Sequence, residues 1–336
     1  ITDNKPEVDV KELVKFRVVT LGVLCVFLIT GLSGCGGESG KPIDMQVLRA
    51  DTTWSGNVLV KGDVRVARGV TLTIQPGTVV RFAKIEADGP QNLHKTNDNN
   101  FSRAELIVRG ILDARGTQNK RIVFTSAERS PSPGDWGAIN FLDSRSNVIE
   151  HCEISYADTG LHGHGVEMSV KNCYVHDNGV AVAFNNKEEF RTSSVVNVVN
   201  SQIRNNSGGI LCGKETRSKL ANNEINNNEL YGVFIKAAST SYVSLNDITG
   251  NGKGVLVYAS RGAQINKNNI TDSVDYHISL LEGQRAGVNA RNNWFGTTDE
   301  RKIKARIWDQ DEERQLGRVD FSGYAQSPIE EAGLGS

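Results

Sequence analysis

The chain has 336 residues with 38 basic and 39 acidic side chains, so its formal net charge is −1. This balance leaves no basic field that would recruit nucleic acid. Five cysteines in a chain of this length exclude a disulfide scaffold, whereas 34 glycines and only 7 prolines favour many short strands joined by tight turns.

The chain opens with a short polar stretch, in which Lys11, Lys15 and Arg17 precede an apolar run over residues 18–29. This is the layout of a secretory signal. The apolar run is shorter than the roughly 18 to 20 residues that a membrane-spanning helix needs. We therefore expect residues 1–34 to be a signal peptide that is removed on export.

The signal is followed directly by Cys35, and the sequence Leu32-Ser33-Gly34-Cys35 resembles the lipobox of bacterial lipoproteins. The resemblance implies that the Cys35 thiol is acylated and that the chain is cut just before it. Several acyl chains give lasting attachment, at roughly 0.8 kcal/mol per buried methylene. Residues 35–46 would then form a lipidated tether in the cell envelope, and Gly36, in place of an Asp, favours the outer membrane.

From about residue 150 a short apolar strand recurs after an Asn-rich turn, and its aliphatic anchors are Ile154, Val175, Ile203, Ile225, Ile248 and Ile270. The intervals between anchors are 21, 28, 22, 23 and 22 residues. No connection between strands is long enough for a crossover helix or arranged as a two-residue reversal. The period therefore indicates a coil whose turns stack as parallel strands, about 4.8 Å apart.

Stacked coils place equivalent residues on top of each other, so the repeat predicts ladders. Two residues before the anchors stand Cys152, Cys173, Ser201, Asn223, Asn246 and Asn268. Three residues after them stand Asn178, Asn206, Asn228 and Asn251. Stacked amides hydrogen-bond to each other, and Asn tolerates the left-handed backbone of tight corners. We interpret these asparagines as architecture and not as a binding site.

This pattern resembles the parallel β-helix repeat proteins of the pectate-lyase-like superfamily, including members carried on lipoproteins. The resemblance implies an all-β fold, a single-stranded right-handed parallel β-helix of about ten to eleven coils over residues 47–325, with a flexible tail over 326–336. Trp294, Trp308 and Phe321 resemble the aromatic ending of such chains, which covers a last coil that would otherwise expose its core and strand edges.

One loop and one group of histidines are the candidates for function. The loop from Asp88 to Arg103, which contains His94, interrupts a regular coil and is long enough to rim a binding groove or to be a solvated turn. The densest titratable region contains His151, His162, His164 and His176, with Asp158, Glu167 and Asp177 nearby. His162 and His164 are weak metal candidates, because no third ligand stands at a recognised spacing.

Cys152 and Cys173 occupy equivalent places in adjacent turns, where the coil rise suits either a disulfide or a pair of buried thiols. Carbohydrate-active enzymes on this fold need clustered or paired carboxylates, in some cases with calcium. The acids Asp143, Glu150 and Glu153 form no cluster that stands out in the sequence. No catalytic residue is assigned, and no cofactor is evident unless an enzymatic site binds Ca²⁺.

Three functions stay open. The leading hypothesis is a non-enzymatic, envelope-anchored rod that presents a rigid surface to carbohydrate or to an envelope protein. The second is a polysaccharide lyase or glycoside hydrolase, which would need acidic and basic residues from three successive coils on one outer face. The third is a periplasmic copper-handling protein with ligands among the histidines of residues 151–176. All three depend on analogy of fold.

Overall fold

The computed structural model describes residues 42–335, and this part of the chain is built almost entirely from short parallel strands. The strands are β1 (Gln46–Leu48), β2 (Thr52–Trp54), β3 (Asn57–Val60), β4 (Val64–Val66), β5 (Thr71–Ile74), β6 (Val79–Phe82), β7 (Leu106–Val108), β8 (Ile111–Arg115), β9 (Ile122–Ser126), β10 (Trp136–Glu150), β11 (Cys152–Ser155), β12 (Ala157–Lys171), β13 (Tyr174–His176), β14 (Val180–Asn185), β15 (Val195–Val199), β16 (Gln202–Arg204), β17 (Gly208–Cys212), β18 (Arg217–Ala221), β19 (Glu224–Asn226), β20 (Tyr231–Lys236), β21 (Thr240–Ser244), β22 (Asp247–Thr249), β23 (Lys253–Tyr258), β24 (Gly262–Asn266), β25 (Asn269–Thr271), β26 (Ile278–Leu280), β27 (Val288–Asn289), β28 (Ile307–Trp308) and β29 (Val319–Asp320). One helix, α1 (Glu300–Lys304), lies near the end.

The strands form three faces of a coil, and every ladder between the named strands is parallel. The first face contains β1, β4, β7, β10, β12, β14, β17, β20, β23, β26 and β28. The second contains β2, β5, β8, the later halves of β10 and β12, β15, β18, β21, β24, β27 and β29. The third contains β3, β6, β9, β11, β13, β16, β19, β22 and β25. The predicted right-handed parallel β-helix is confirmed.

Alternate residues of each strand point into the coil, as the two-residue period of a strand requires. On the third face the inward row contains Phe124, Ile154, Val175 and Ile203, all fully buried. Burying each such side chain contributes about 1.5–3 kcal/mol relative to leaving it in water. The rings of Phe82 and Trp136 stack with centroids 4.2 Å apart, and both are fully buried in the core.

Both predicted asparagine ladders are present. In the first ladder, Nδ2 of Asn223 donates to Oδ1 of Asn246, and Nδ2 of Asn246 donates to Oδ1 of Asn268, both at 2.9 Å. The ladder continues into Asn293, which the repeat did not include. The second ladder runs through Asn178, Asn206, Asn228 and Asn251 with amide contacts of 2.9–3.0 Å. These side chains are buried and therefore belong to the architecture of the corners.

A second row of residues follows the corners on the outside. At the turn that follows the second face, the coils from β10 onward each have one residue with a positive φ, namely His151, Asn172, Asn200, Asn222, Leu245, Lys267 and Asn292, at φ 48–60°. Asn is favoured there because its side chain tolerates the left-handed region. Leu245 and Lys267 adopt the same conformation although their side chains disfavour it. We infer that pairing with the neighbouring coils imposes it.

Aromatic residues near the carboxyl-terminal end cover the last coil, as we predicted from the sequence. Phe295 is buried, and Trp308, Phe321 and Tyr324 pack against the core. Helix α1 begins after Asp299, whose side chain caps it by accepting the backbone N–H of Arg301. The cap therefore combines aromatic cover with a short helix.

Both predicted ends of the solenoid differ in detail from the structure. Strand β1 begins at Gln46, and Ile43 already forms a parallel bridge to Val60, so pairing starts within the segment predicted as tether. At the other end, residues 329–335 lie along the corners, where Ile329 N donates to Asn269 Oδ1 at 2.8 Å. We predicted a flexible tail here because nothing in the sequence indicates that asparagines at the corners accept hydrogen bonds from residues 329–335.

Candidate functional site

The outer surface of the first face brings the two predicted histidines of residues 162–164 together with polar residues of neighbouring coils. Parallel pairing places Ile107, Asn140 and His162 in one row, each on the next coil. His164 lies two residues beyond His162 on β12 and therefore points to the same side. Two imidazoles and one amide thus share the outer surface of adjacent coils.

The imidazole rings of His162 and His164 are perpendicular, with centroids 4.6 Å apart. His162 Nδ1 lies 2.9 Å from Asn140 Oδ1, and His164 Nε2 lies 2.9 Å from the backbone oxygen of Asp98. Because both partners are oxygen acceptors, these nitrogens carry the proton, and the other nitrogen of each ring keeps its lone pair. His164 Nδ1 is buried and has no hydrogen-bond partner among residues 42–335.

The surroundings hold both histidines in the neutral form. Burial is the largest cause that lowers the pKa of His164 to about 4, and the charge of Lys187 acts in the same direction. Burial also lowers the pKa of His162 well below its usual value, followed by the effects of His164 and Lys187. At neutral pH the two free nitrogens are therefore unprotonated.

Two loops cover this surface and contact each other. One is the predicted loop Asp88–Arg103, whose Phe101 ring packs edge-on against His162 with centroids 5.0 Å apart. The other comprises residues 186–194, between β14 and β15. Asn99 Nδ2 donates to Glu189 Oε1 at 2.6 Å, and Lys187 Nζ donates to the backbone oxygen of Asp98 at 3.1 Å. Of the two alternatives that the sequence left open for residues 88–103, the structure shows a loop that covers the outer surface of the first face.

Two buried carboxyl groups fasten the first loop to the coil. Glu105 accepts the side-chain amide of Asn100 at 3.0 Å and that of Asn140 at 2.7 Å. Asp63 accepts the backbone N–H of Leu93 at 2.6 Å and that of Glu105 at 3.1 Å. Asn140 therefore connects the loop anchor to His162.

The buried position changes the acidity of both carboxyl groups. The pKa of Glu105 is raised to about 8. Burial is the largest cause, the hydrogen bond from Asn100 opposes it, and the neighbouring charge of Asp63 acts in the same direction as burial. Burial likewise raises the pKa of Asp63 to about 6, in spite of several hydrogen bonds that favour its charged form. The attachment of the loop therefore depends on groups that titrate near neutral pH.

The other histidines of the predicted titratable region lie elsewhere. His151 occupies a corner, where its Nε2 lies 3.2 Å from Asn172 Nδ2. His176 lies on the outer surface of the third face. Stacking therefore divides the histidines of residues 151–176 among three places and unites only His162 and His164.

His176 has its own set of partners. Its Nδ1 lies 2.6 Å from Asp177 Oδ2, and its Nε2 lies 3.4 Å from Glu153 Oε1. Burial lowers its pKa, but the hydrogen bonds that the ring donates to these two carboxylates outweigh burial and raise the pKa overall. Tyr174 stacks on the ring at 3.9 Å, and Arg204 Nε donates to the Tyr174 hydroxyl at 2.8 Å. Acidic, aromatic and basic side chains of three successive coils thus meet on one outer face.

The acids named from the sequence do not converge. Asp143 accepts Arg68 Nη2 at 2.7 Å and the backbone N–H of Thr192 at 3.0 Å. Glu150, at the end of β10, has a different partner: its Oε1 lies 3.9 Å from the Lys171 ammonium. These residues fasten loops and coils to each other and form no pair of carboxylates of the kind that glycosidases use.

Cys152 and Cys173 are free, buried thiols in adjacent coils. Cys173 Sγ donates to the backbone oxygen of Lys171 at 3.2 Å, and Cys152 Sγ to that of Glu150 at 3.4 Å. Of the two alternatives left open by the sequence, the structure contains the thiol pair. It fills the same ladder position that Ser201 and the asparagines fill in later coils.

Sequence reasoning missed Asp63, Glu105 and Asn140, because nothing in the repeat marks a buried carboxyl under a distant loop. The loop of residues 186–194 did leave a signal. The interval of 28 residues between Val175 and Ile203 exceeds its neighbours by about six, which is the length of an insertion between the strands.

Two absences apply to residues 42–335. Among them, no group of three or more His, Cys, Asp and Glu side chains is placed to hold a metal ion. In the same part of the chain, no helix is long and apolar enough to cross a bilayer. The predicted signal peptide and Cys35 lie outside the described residues.

Fold and site together define a parallel β-helix protein with a loop-covered histidine pair on its outer surface. A family model described as pectate-lyase like beta helix domain matches residues 46–159. A second, described as periplasmic copper-binding protein (NosD), matches residues 114–314, about three fifths of the chain. The chain belongs to this NosD family.

Among solved structures, the chain is similar to the A-module of the mannuronan C-5 epimerase AlgE6 from Azotobacter vinelandii. The identity is 17%, the alignment covers 82% of this chain and 91% of the module, and the TM-score is 0.43. No curated protein matches the chain.

Proposed function

We propose that this protein is an exported, lipid-anchored copper carrier that takes Cu(I) as cargo at His162 and His164. The observation that carries the proposal is the free lone pair on each of two adjacent imidazoles, one of which, His164 Nδ1, is buried without a partner. Membership of a family described as periplasmic and copper-binding supports the choice of metal and the export.

The chemistry of the pair fits this cargo. Imidazole nitrogen is a good ligand for copper, and Cu(I) accepts a low coordination number. Histidines that bind a metal commonly donate their second N–H to an oxygen, which fixes the ring and its tautomer, and His162 and His164 each have such a partner. No carboxylate is required, which agrees with a carrier that must also release its metal.

The test is a competition titration of the full chain, in nonionic detergent, with Cu(I) buffered by bathocuproine disulfonate. We expect one equivalent to bind, and we expect His162→Ala and His164→Ala each to weaken the affinity roughly tenfold or more, the cost of losing one ligand. His151→Asn is the matched control, because Asn suits the left-handed corner that His151 occupies. Wild-type affinity in the two alanine variants would refute the proposal.

A pH series gives a second readout. Metal binding competes with protons for the ligand nitrogen, and the pKa of His164 is about 4. We therefore expect Cu(I) affinity to stay constant from pH 8 down to about pH 5.5. A surface histidine would lose affinity through its ordinary pKa near 6.5, so a steady decline below pH 7 would point to other ligands.

The lipid anchor is the other part of the proposal. The sequence Leu32-Ser33-Gly34-Cys35 supports acylation of Cys35, and we propose the outer membrane as the location. Mass spectrometry of the amino-terminal peptide should show an acylated Cys35, and Cys35→Ser should move the protein from the membrane fraction to the soluble fraction. An unmodified Cys35 in the native protein would disprove the anchor.

A second candidate function has one specific observation in its favour. Glu153, His176 and Arg204 come from three successive coils and meet on one outer face, which is the arrangement that a carbohydrate-active enzyme on this fold would need. His176 could move a proton, and Arg204 could bind an acidic sugar. Ultraviolet absorbance from unsaturated products on polyuronates, lost in His176→Ala, would establish this function; no turnover on polyuronates or neutral polysaccharides would leave a binding surface only.

A further inference from the structure

Three arginines lie together on the first face, in coils that precede the one containing the histidine pair. Arg65 lies on β4, and the parallel register pairs it with Ile107 on the next coil. Arg109 follows β7, whose Val108 pairs with Val66, so Arg109 stands beside the turn that contains Arg68. The three guanidinium groups therefore come from two adjacent coils.

Within residues 42–335, one carboxylate forms an ion pair with this group. Asp143 Oδ2 accepts Arg68 Nη2 at 2.7 Å, and its other oxygen binds the backbone of Thr192. Arg65 has a weak contact with a neutral acceptor, since its Nη1 lies 3.3 Å from His94 Nε2. In the described part of the chain, the three guanidinium groups thus have one carboxylate as ion-pair partner.

Arg109 is the least satisfied of the three. Its Nε is buried and has no hydrogen-bond partner within residues 42–335. A guanidinium has only donors, so a buried Nε without an acceptor costs free energy unless a ligand supplies one. Burial first, and then the charge of Arg68, lower the pKa of Arg109 and outweigh the opposing charge of Asp143, so one carboxylate does not balance the three guanidinium groups.

We propose that Arg65, Arg68 and Arg109 form a binding site for a carboxylate carried by a larger polar ligand, such as an acidic oligosaccharide. The planar guanidinium binds a carboxylate through two parallel hydrogen bonds, and Arg68 already binds one in Asp143. The existing charge of Asp143 favours a singly charged anion over a phosphate dianion. This site goes beyond copper binding and does not depend on it.

The loop Asp88–Arg103 forms one wall of the site through His94. Burial and the charges of Arg65 and Arg109 lower the pKa of His94, so the imidazole is neutral and leaves the positive charge to the arginines. The ligand would therefore enter between this loop and the turn that contains Arg68.

The experiment is calorimetric titration of the full chain, in nonionic detergent at low salt, with tetragalacturonate and with its fully methyl-esterified form. We expect the free acid to bind and the ester not to bind. Arg109→Ala should weaken binding roughly tenfold or more, because a hydrogen bond to a charged group is lost. Arg217→Ala, an exposed arginine on the second face, removes the same charge and should leave binding unchanged.

Further variants keep the proposal testable. Arg109→Lys retains the charge but not the paired hydrogen bonds, and should bind with intermediate affinity even if Arg109→Ala fails to fold. Cu(I) binding should be unaffected in both. Equal binding of acid and ester, wild-type affinity in both variants, or binding of inorganic phosphate in place of tetragalacturonate would each overturn the assignment.

Discussion

Asn140 joins Glu105 to His162: its Nδ2 donates to Glu105 Oε2 at 2.7 Å, and its Oδ1 lies 2.9 Å from His162 Nδ1. One amide therefore connects the carboxyl group that fastens the covering loop to the imidazole beneath that loop. We therefore expect a change in the charge of Glu105 to affect both the attachment of the loop and the hydrogen bond to His162.

The first prediction concerns Glu105 and pH. Its folded-state pKa of about 8 lies above its ordinary value of 4.5. Between these values the folded protein holds more protons than the unfolded chain, so the free energy of unfolding falls as pH rises from about 5 to 8. Glu105→Gln cannot ionise, and we expect its melting temperature to vary less between pH 6 and 8 and to exceed that of the wild type at pH 8.

Thermal melts at pH 6, 7 and 8 measure this effect. Glu128→Gln is the control, because Glu128 is exposed and the substitution should leave the pH dependence unchanged. An equal slope in Glu105→Gln and wild type would show that the carboxyl group is not the source of the pH dependence.

The second prediction concerns the asparagine ladder. Asn246 Oδ1 accepts both the backbone N–H and the side chain of Asn223, and its own Nδ2 donates to Leu220 O at 2.8 Å. Asn246→Ala leaves these buried groups without partners, which should lower the free energy of unfolding by about 2–5 kcal/mol. Denaturant unfolding measures the change.

A matched substitution separates the ladder from asparagine in general. Asn226 lies on the outer side of the third face, and its Oδ1 has no partner within the described residues. Asn226→Ala should therefore not lower the free energy of unfolding, because it removes a buried oxygen that has no hydrogen bond to lose. Similar losses in both variants would contradict the role of the ladder.

The repeat could be predicted from the sequence because every coil needs the same kinds of side chain at the same positions. The same inward position of the third face is filled by Ile203, Ile225 and Ile248, so isoleucine recurs at nearly fixed intervals. The same corner of each coil has backbone groups that need hydrogen-bond partners, so asparagine recurs at Asn223 and Asn246. A pattern that repeats along the chain can be read from the chain alone.

The candidate site could be predicted only in part. His162 and His164 were identified as a pair, but their partners come from residues that do not repeat. Glu105 and Asn140 are 35 positions apart and meet only through the stacking of coils. Their register across β7 and β10 depends on the length of an irregular loop, which no periodicity encodes.

The third prediction concerns the end of the chain. Gly333 N donates to Leu245 O at 3.0 Å, and Gly335 N donates to Asn200 Oδ1 at 2.8 Å, so the segment follows the corners of several coils. Truncation after Pro328 removes these bonds and should lower the free energy of unfolding by about 1–3 kcal/mol. Hydrogen exchange of the corner residues should accelerate, whereas removal of Ser336 alone, which keeps every one of these bonds, should change neither quantity.

The last prediction concerns Asp143 and the second covering loop. Burial would raise the pKa of Asp143, but hydrogen bonds from Arg68 and Thr192 outweigh it and lower the pKa to about 2. The ionised carboxylate therefore holds the loop of residues 186–194 at all pH values above about 4, and this contribution is lost as pH falls through 2.

Asp143→Ala removes the acceptor for the Thr192 N–H, so the loop should open more often. We expect trypsin to cleave after Lys187 or Arg191 about five times faster than in the wild type, because cleavage follows the population of the open form. Asp143→Asn keeps one acceptor oxygen and should give an intermediate rate. Asp113→Ala removes an exposed ion pair with Arg115 and should leave the rate unchanged; if it accelerates cleavage equally, the loop does not depend on Asp143.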